Sequence, residues 1–133
     1  MIRVVVDTNV IVSAMIKKTG NPAEILKRIH ALEILPVVSR EILTEYIEVL
    51  SRPAFKIPED EIEALTIFFN RMLFNMPEID LKKINAPEDD AIFVAAARYA
   101  LADFIVTGNT RHYVGLKHEK FQILTPAEFL NRK

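Results

Sequence analysis

Hydrophobic and polar positions along this chain switch repeatedly between the strand and helix periods. Residues 2–6 contain Ile2, Val4, Val5 and Val6, the β-branched density of a strand buried on both faces. Residues 9–15 read as a helix, and the polar stretch through Lys17, Lys18 and Gly20 as a loop. Asn21-Pro22 is an N-cap followed by Pro at the first helical position. The helix it opens runs to about residue 31 and places Ile25, Leu26 and Ile29 on one face. Residues 34–38 form a second strand, which Pro36, lacking an N–H, moves toward a sheet edge. Ser39 caps a third helix that ends before Arg52-Pro53. Residues 58–74 form a fourth, with Ile62, Leu65, Phe68, Phe69 and Leu73 at helical spacing. A short strand is predicted over 76–81. The acidic run Glu88-Asp89-Asp90 opens a fifth helix over 91–101, apolar almost all round and so the most buried. Strands follow at 104–107 and 121–124, and Thr125-Pro126 starts a last short helix.

This alternation predicts an α/β fold: a three-layer α/β/α arrangement around a mainly parallel sheet with right-handed crossovers. At 133 residues the chain reads as a single domain. In such sheets ligands gather at the C-terminal strand ends. Residues just after a strand are therefore candidates, and residues just before one lie at the wrong end.

Composition narrows the classes. Half of the residues are hydrophobic and the mean hydropathy is +0.16, which suits a compact core. Seventeen Lys and Arg against eighteen Asp and Glu give a net charge of −1, which removes the overall basic excess of many nucleic-acid binders. A local basic rim or bound metal ions stay compatible with that balance. The absence of cysteine excludes disulfides, zinc thiolates, iron–sulfur clusters and a thiol nucleophile. Asp7, Thr8 and Asn9 interrupt the apolar N-terminus, arguing for strand and helix rather than a signal peptide. No stretch nears the roughly 18 uninterrupted apolar residues of a membrane span. The expectation is a soluble, cytoplasmic protein.

The strand-end filter selects three carboxylates. Asp7 directly follows the first strand, where a charge among apolar neighbours is costly unless paired or metal-bound; its bland alternative is capping the next helix through Asn9 or Val10. On the third helix, Ile42, Leu43, Tyr46, Ile47, Val49 and Leu50 form one apolar arc, and Glu45 lies about 40° outside it. Glu41 and Glu48 lie about 80° and 100° outside, so Glu45 is best placed to lean over the strand ends. Asp90 stands at the start of the fifth helix, at that same side, although acidic residues there also complement the helix dipole. Thr107, Gly108 and Asn109 close the strand at 104–107, whereas Asp103 falls at the opposite end and reads as structural. Clustered carboxylates repel unless a cation lies between them, and oxygen-only ligands suit Mg²⁺ or Mn²⁺. The combination favours a metal-dependent enzyme acting on phosphoryl groups. Glycine-rich phosphate loops, HExxH and GxSxG are absent, and Asn9 stands where a haloacid-dehalogenase-like phosphatase would carry a second Asp.

These residues bring out a family resemblance. The runs Val4 through Val10, Ile42 through Tyr46, Asp89 through Ala97 and Ile105 through Asn109 resemble, in order, the four motifs of PIN (PilT N-terminus) domain ribonucleases. The chain is most similar to the VapC-type toxins of toxin–antitoxin pairs. The resemblance implies a five-stranded parallel sheet and a Mg²⁺- or Mn²⁺-dependent endoribonuclease. It implies metal-ligand roles for Asp7, Glu45 and Asp90, and a catalytic role for Asn109 through its amide oxygen or a positioned water. Thr8, Asn9 and Thr107 support the site. The departure is Asn109, where many members carry Asp there or at the position of His112.

The leading expectation is hydrolysis of single-stranded or loop RNA at a carboxylate-bound ion. Lys17, Lys18, Arg52, Arg111 and His112 are the candidate backbone contacts. The rivals are a catalytically weak PIN-fold RNA- or protein-binding module and a metal-dependent phosphatase. The resemblance also implies an antitoxin protein that fills the acidic cleft, and apolar side chains on the helix at 58–74 offer a homodimer surface.

Overall fold

The structure is a computed structural model that describes residues 1–116 and 118–132. Its sheet has four parallel strands, β1 (Arg3–Val6), β2 (Leu35–Pro36), β3 (Phe104–Val106) and β4 (Gln122–Leu124), in the order β2-β1-β3-β4. Val4 and Val5 are fully buried at its centre, as are Ile105 and Val106. Helices α1 (Thr8–Ile16), α2 (Asn21–His30), α3 (Arg40–Leu50), α4 (Glu59–Asn70), α5 (Ala91–Tyr99) and α6 (Pro126–Asn131) pack around it. One hydrophobic cluster runs from Val4 to Phe129.

The fold class is as read from the hydrophobic pattern, with one strand fewer. The expected strand over 76–81 does not form. Pro77 removes a ladder donor, Glu78, Ile79 and Asp80 stay exposed, and Leu81–Lys83 winds into a 3₁₀ turn. What survives of a fifth strand is a single bridge between Ser39 and Phe74, with the Phe74 N–H donating to the Val38 carbonyl at 3.2 Å. That bridge also explains why α4 stops at Asn70 rather than 74: Phe74 is drawn into extended pairing with the edge of the sheet. The second strand is an edge strand of two residues, as Pro36 requires.

Helix ends follow local chemistry. The Ser39 hydroxyl accepts from the Ile42 amide at 3.2 Å. Thr125 and Glu128 close a reciprocal capping box at the start of α6. At α2 the helix begins one residue earlier than expected: Gly20, at φ 100°, takes the cap position and Asn21 becomes its first residue. Helix α5 buries most of its surface, and only its last two residues, Arg98 and Tyr99, are exposed. On α4, Ile67 stands half exposed.

Strand order decides where a site can form. The chain leaves β1 for β2 on one side and returns to β3 on the other, so the crevice between β1 and β3 is a topological switch point at the C-terminal strand ends. Asp7 and Thr107 are the first residues beyond these two strands. At the opposite edge, Asp103 accepts from the Arg3 amide at 2.8 Å, the structural role expected of it.

Candidate active site

Backbone pairing carries β1 one residue further, because the Asp7 N–H donates to the Val106 carbonyl at 2.9 Å. This sets the Asp7 side chain, only 5% exposed, in the switch-point crevice. It does not cap α1, although Asp7 occupies the cap position. Its Oδ2 instead accepts from the Thr107 hydroxyl at 2.8 Å and from the Tyr113 hydroxyl at 3.0 Å. No described residue donates to Oδ1. A buried carboxylate that forgoes the helix amides and is held by two hydroxyls has the constraints of a ligand-binding group.

Asp90, the last residue of a 3₁₀ turn at Glu88–Asp90, arrives from the other side and is also nearly buried. It too makes no cap bond to its helix. Burial pushes its carboxyl pKa up, and the nearby Asp7 charge pushes it further; His112 works against both, with Nδ1 2.8 Å from Oδ2. The ionised form is thus disfavoured in the fold. Asp90→Asn is expected to raise the melting temperature of metal-free protein. The gain is full above the raised pKa and disappears as pH falls below the ordinary carboxylate range, where Asp90 is neutral folded or unfolded. Thermal scans across that range check it; a lower melting temperature at neutral pH would show that the His112 contact outweighs burial and repulsion.

Glu45 reaches the same end of the sheet from α3 and accepts from the buried Thr8 hydroxyl. Its neighbour Tyr46 is fully buried, and its hydroxyl donates to the Val6 carbonyl, tying α3 to the end of β1. Burial, then the charges of Asp7 and Glu45, hold the Tyr46 hydroxyl protonated well beyond its usual range. Tyr113 is raised in the same way, by burial and then by Asp7 and Asp90. Both phenols therefore act as donors in a strongly negative crevice.

The supporting residues converge as well. The Asn9 Oδ1 accepts from the Gly108 amide at 3.2 Å, and the Thr107 hydroxyl accepts from the Asn109 amide at 3.0 Å. Asn109 Nδ2 lies 2.6 Å from His112 Nε2, so Asn109 is engaged with His112. The 3₁₀ turn Thr110–Tyr113 is itself braced: Asn85 Nδ2 donates to the Gly115 carbonyl at 3.0 Å, and a Cβ on Gly115 would stand 2.7 Å from the Asn85 carbonyl oxygen.

The candidate cations divide. Arg111 is exposed on this turn beside the crevice. Lys17 and Lys18 follow α1 at the end remote from Asp7, about 13 Å along the helix, and Lys18 pairs with Glu61 of α4. Arg52 lies beyond the far end of α3. Neither the lysines nor Arg52 join the crevice cluster. Their own helices carry them away from the strand ends, which linear sequence does not reveal.

Two residues of the cluster escape the strand-end reading. Tyr46 counts among apolar positions, and Tyr113 lies six residues past Thr107. A buried Tyr hydroxyl must find an acceptor, and Tyr113 stands in the loop that leaves the candidate strand; that was the available signal.

A PIN domain profile matches residues 3–111. The chain belongs to the PIN domain family. It is also 30% identical over 141 aligned positions to an uncharacterized protein of Methanocaldococcus jannaschii, covering 97% of this chain and 90% of the relative. The PIN match ends within the Thr110–Tyr113 turn, so it takes in Asp7, Glu45, Asp90 and Asn109 but stops just short of His112 and Tyr113. PIN domains are typically nucleases that use divalent metals. Among the described residues no three His, Asp or Glu side chains stand close enough for a ready-made cage. Two carboxylates completed by water do fit Mg²⁺, which keeps several waters and takes one or two protein carboxylates. The all-oxygen donors Asp7 and Asp90 match that preference, with Glu45 held back on Thr8.

Proposed function

We propose that this PIN domain is a Mg²⁺- or Mn²⁺-dependent endoribonuclease acting at the crevice between β1 and β3. The observation that carries this reading is the pair Asp7 and Asp90: two nearly buried carboxylates, electrostatically opposed, neither spent on its helix. A cation between them would relieve the repulsion that raises the Asp90 pKa. When bound, such an ion polarises a phosphate oxygen and makes water a better nucleophile near neutral pH. The chain's own residues do the rest. Asp7 and Asp90 would hold the ion, Glu45 would orient a water beside it, and Thr107 and Tyr113 fix Asp7. Arg111 meets the RNA backbone at the rim.

Incubation of purified protein with a mixed RNA pool is expected to give Mn²⁺-dependent internal cleavage that EDTA abolishes. Sequencing of the new ends checks it. RNA left intact alongside turnover of small phosphomonoesters would favour the phosphatase instead.

A second reading is a PIN-fold binding module with weak catalysis. It is favoured by the neutral amide at Asn109, by its engagement with His112 and by the lack, among the described residues, of a three-carboxylate cage. Mn²⁺ at millimolar concentration separates the two: the enzyme gains melting temperature, the module does not. As a toxin component the enzyme would be checked by an antitoxin whose basic side chain neutralises Asp7 and Asp90. Among the described residues no helix is long and apolar enough to cross a membrane.

A further inference from the structure

The Thr110–Tyr113 turn touches both carboxylates with consecutive side chains. Tyr113 donates to Asp7 Oδ2 at 3.0 Å, and His112 Nδ1 stands 2.8 Å from Asp90 Oδ2. In each carboxylate one oxygen is occupied, and no described residue donates to the other. The outer face of His112 is also engaged, with Nε2 2.6 Å from Asn109 Nδ2. Where Asp90 is ionised it only accepts hydrogen bonds, and the 2.8 Å contact then places the proton on Nδ1. In a neutral imidazole Nε2 is then a bare acceptor, the partner an amide NH₂ requires.

We propose that this turn is a positioning clamp, in which Asn109 fixes His112 as the Nδ1–H tautomer so that His112 and Tyr113 together orient Asp90 and Asp7 for a shared cation. The inference rests on the metal-site reading above and deepens it. Asn109 acts through His112 rather than on the ion or its water. That gives the neutral residue at the fourth motif a role that an aspartate would not fill in this setting, since a second acceptor facing Nε2 would draw a proton onto it. The clamp is rigid for a local reason: Asn85 and Gly115 pin the end of the turn, and Thr107 pins its start through the Asn109 amide. Such outer contacts to ligating carboxylates commonly set metal affinity by about ten- to a hundredfold.

The test begins without metal. Long-range ¹H–¹⁵N correlation of the imidazoles in mildly alkaline buffer reads the tautomer, with His112→Phe assigning the signal. His112 is expected as Nδ1–H in the wild type and to move toward Nε2–H in Asn109→Ala. Mn²⁺ affinity is then measured by electron paramagnetic resonance. His112→Phe and Tyr113→Phe are each expected to weaken it about tenfold or more. His112→Asn, which returns an N–H donor close to the Nδ1 position, recovers most of the loss. Circular dichroism confirms that each variant folds. A wild-type Nε2–H tautomer, or unchanged Mn²⁺ affinity in folded His112→Phe, overturns the clamp. Wild-type protein that binds no Mn²⁺ overturns the metal-site reading, and the metal-free tautomer still decides the link from Asn109 to His112.

Discussion

Asp7→Asn is expected to lower Mn²⁺-dependent RNA cleavage at least about a hundredfold. The substitution keeps the shape of the side chain and removes two things. The first is the negative charge that a divalent ion needs beside Asp90. The second is the pure acceptor character of Oδ2. Thr107 and Tyr113 both donate to that atom. An amide NH₂ there would face two donors, and an amide turned to present its oxygen would aim its NH₂ at the cation position. Either orientation degrades the site while the strand beneath it, fixed by the Asp7 N–H to Val106 bond, stays in place. Initial rates of RNA cleavage at saturating Mn²⁺, with melting curves as a fold control, measure the effect. Undiminished cleavage by folded Asp7→Asn would sink the proposal that Asp7 holds the ion.

Phe129→Ala is expected to cost about 3–5 kcal/mol of stability. Phe129 is fully buried on α6, beyond the end of the PIN match, and its ring meets Phe104 of β3 edge-on with centroids 5.5 Å apart. The Arg132 guanidinium lies over the Phe129 ring, 4.0 Å from its centroid, and also reaches the Phe104 ring. Truncation leaves a ring-sized void against the central sheet and strands both neighbours. Since small domains hold only about 5–15 kcal/mol in total, much of the reserve would go. Urea denaturation followed by far-ultraviolet circular dichroism reads it as a shift of the midpoint. We propose that the chain is a single domain, so wild type and variant should each unfold in one transition. A loss below about 1 kcal/mol, or a separate early transition for the C-terminal part, would show α6 to be an appendage.

Much of the candidate site is legible before folding because its first layer follows from chain order. A β-branched run ending in Asp7 puts that carboxylate at a strand end, and the helix-before-strand order puts the start of α5, hence Asp90, at the same edge. Glu45 follows from an angular argument on one helix. The errors have equally local causes. Periodicity extends α4 to residue 74 because Leu73 and Phe74 suit a helix as well as a strand, and only the edge of the sheet draws Phe74 into a bridge. The position of Lys17, Lys18 and Arg52 away from the crevice is a separate matter, since charge is visible in a sequence and direction is not.

The sequence by itself determined the α/β class, the edge position of the strand containing Pro36, the caps at Ser39 and Thr125, and the side of the sheet on which the acidic residues gather. Those features depend on periods, dihedral preferences and hydrogen bonds spanning a few residues. Tertiary structure alone decided that four strands rather than five complete the sheet, and which donors hold each carboxylate. Thr107 and Tyr113 lie 100 and 106 residues from Asp7, yet both hydroxyls end on one of its oxygens. No local preference encodes such a pairing. It arises when parallel β1 and β3 are brought side by side and burial leaves each polar group in the crevice needing a partner.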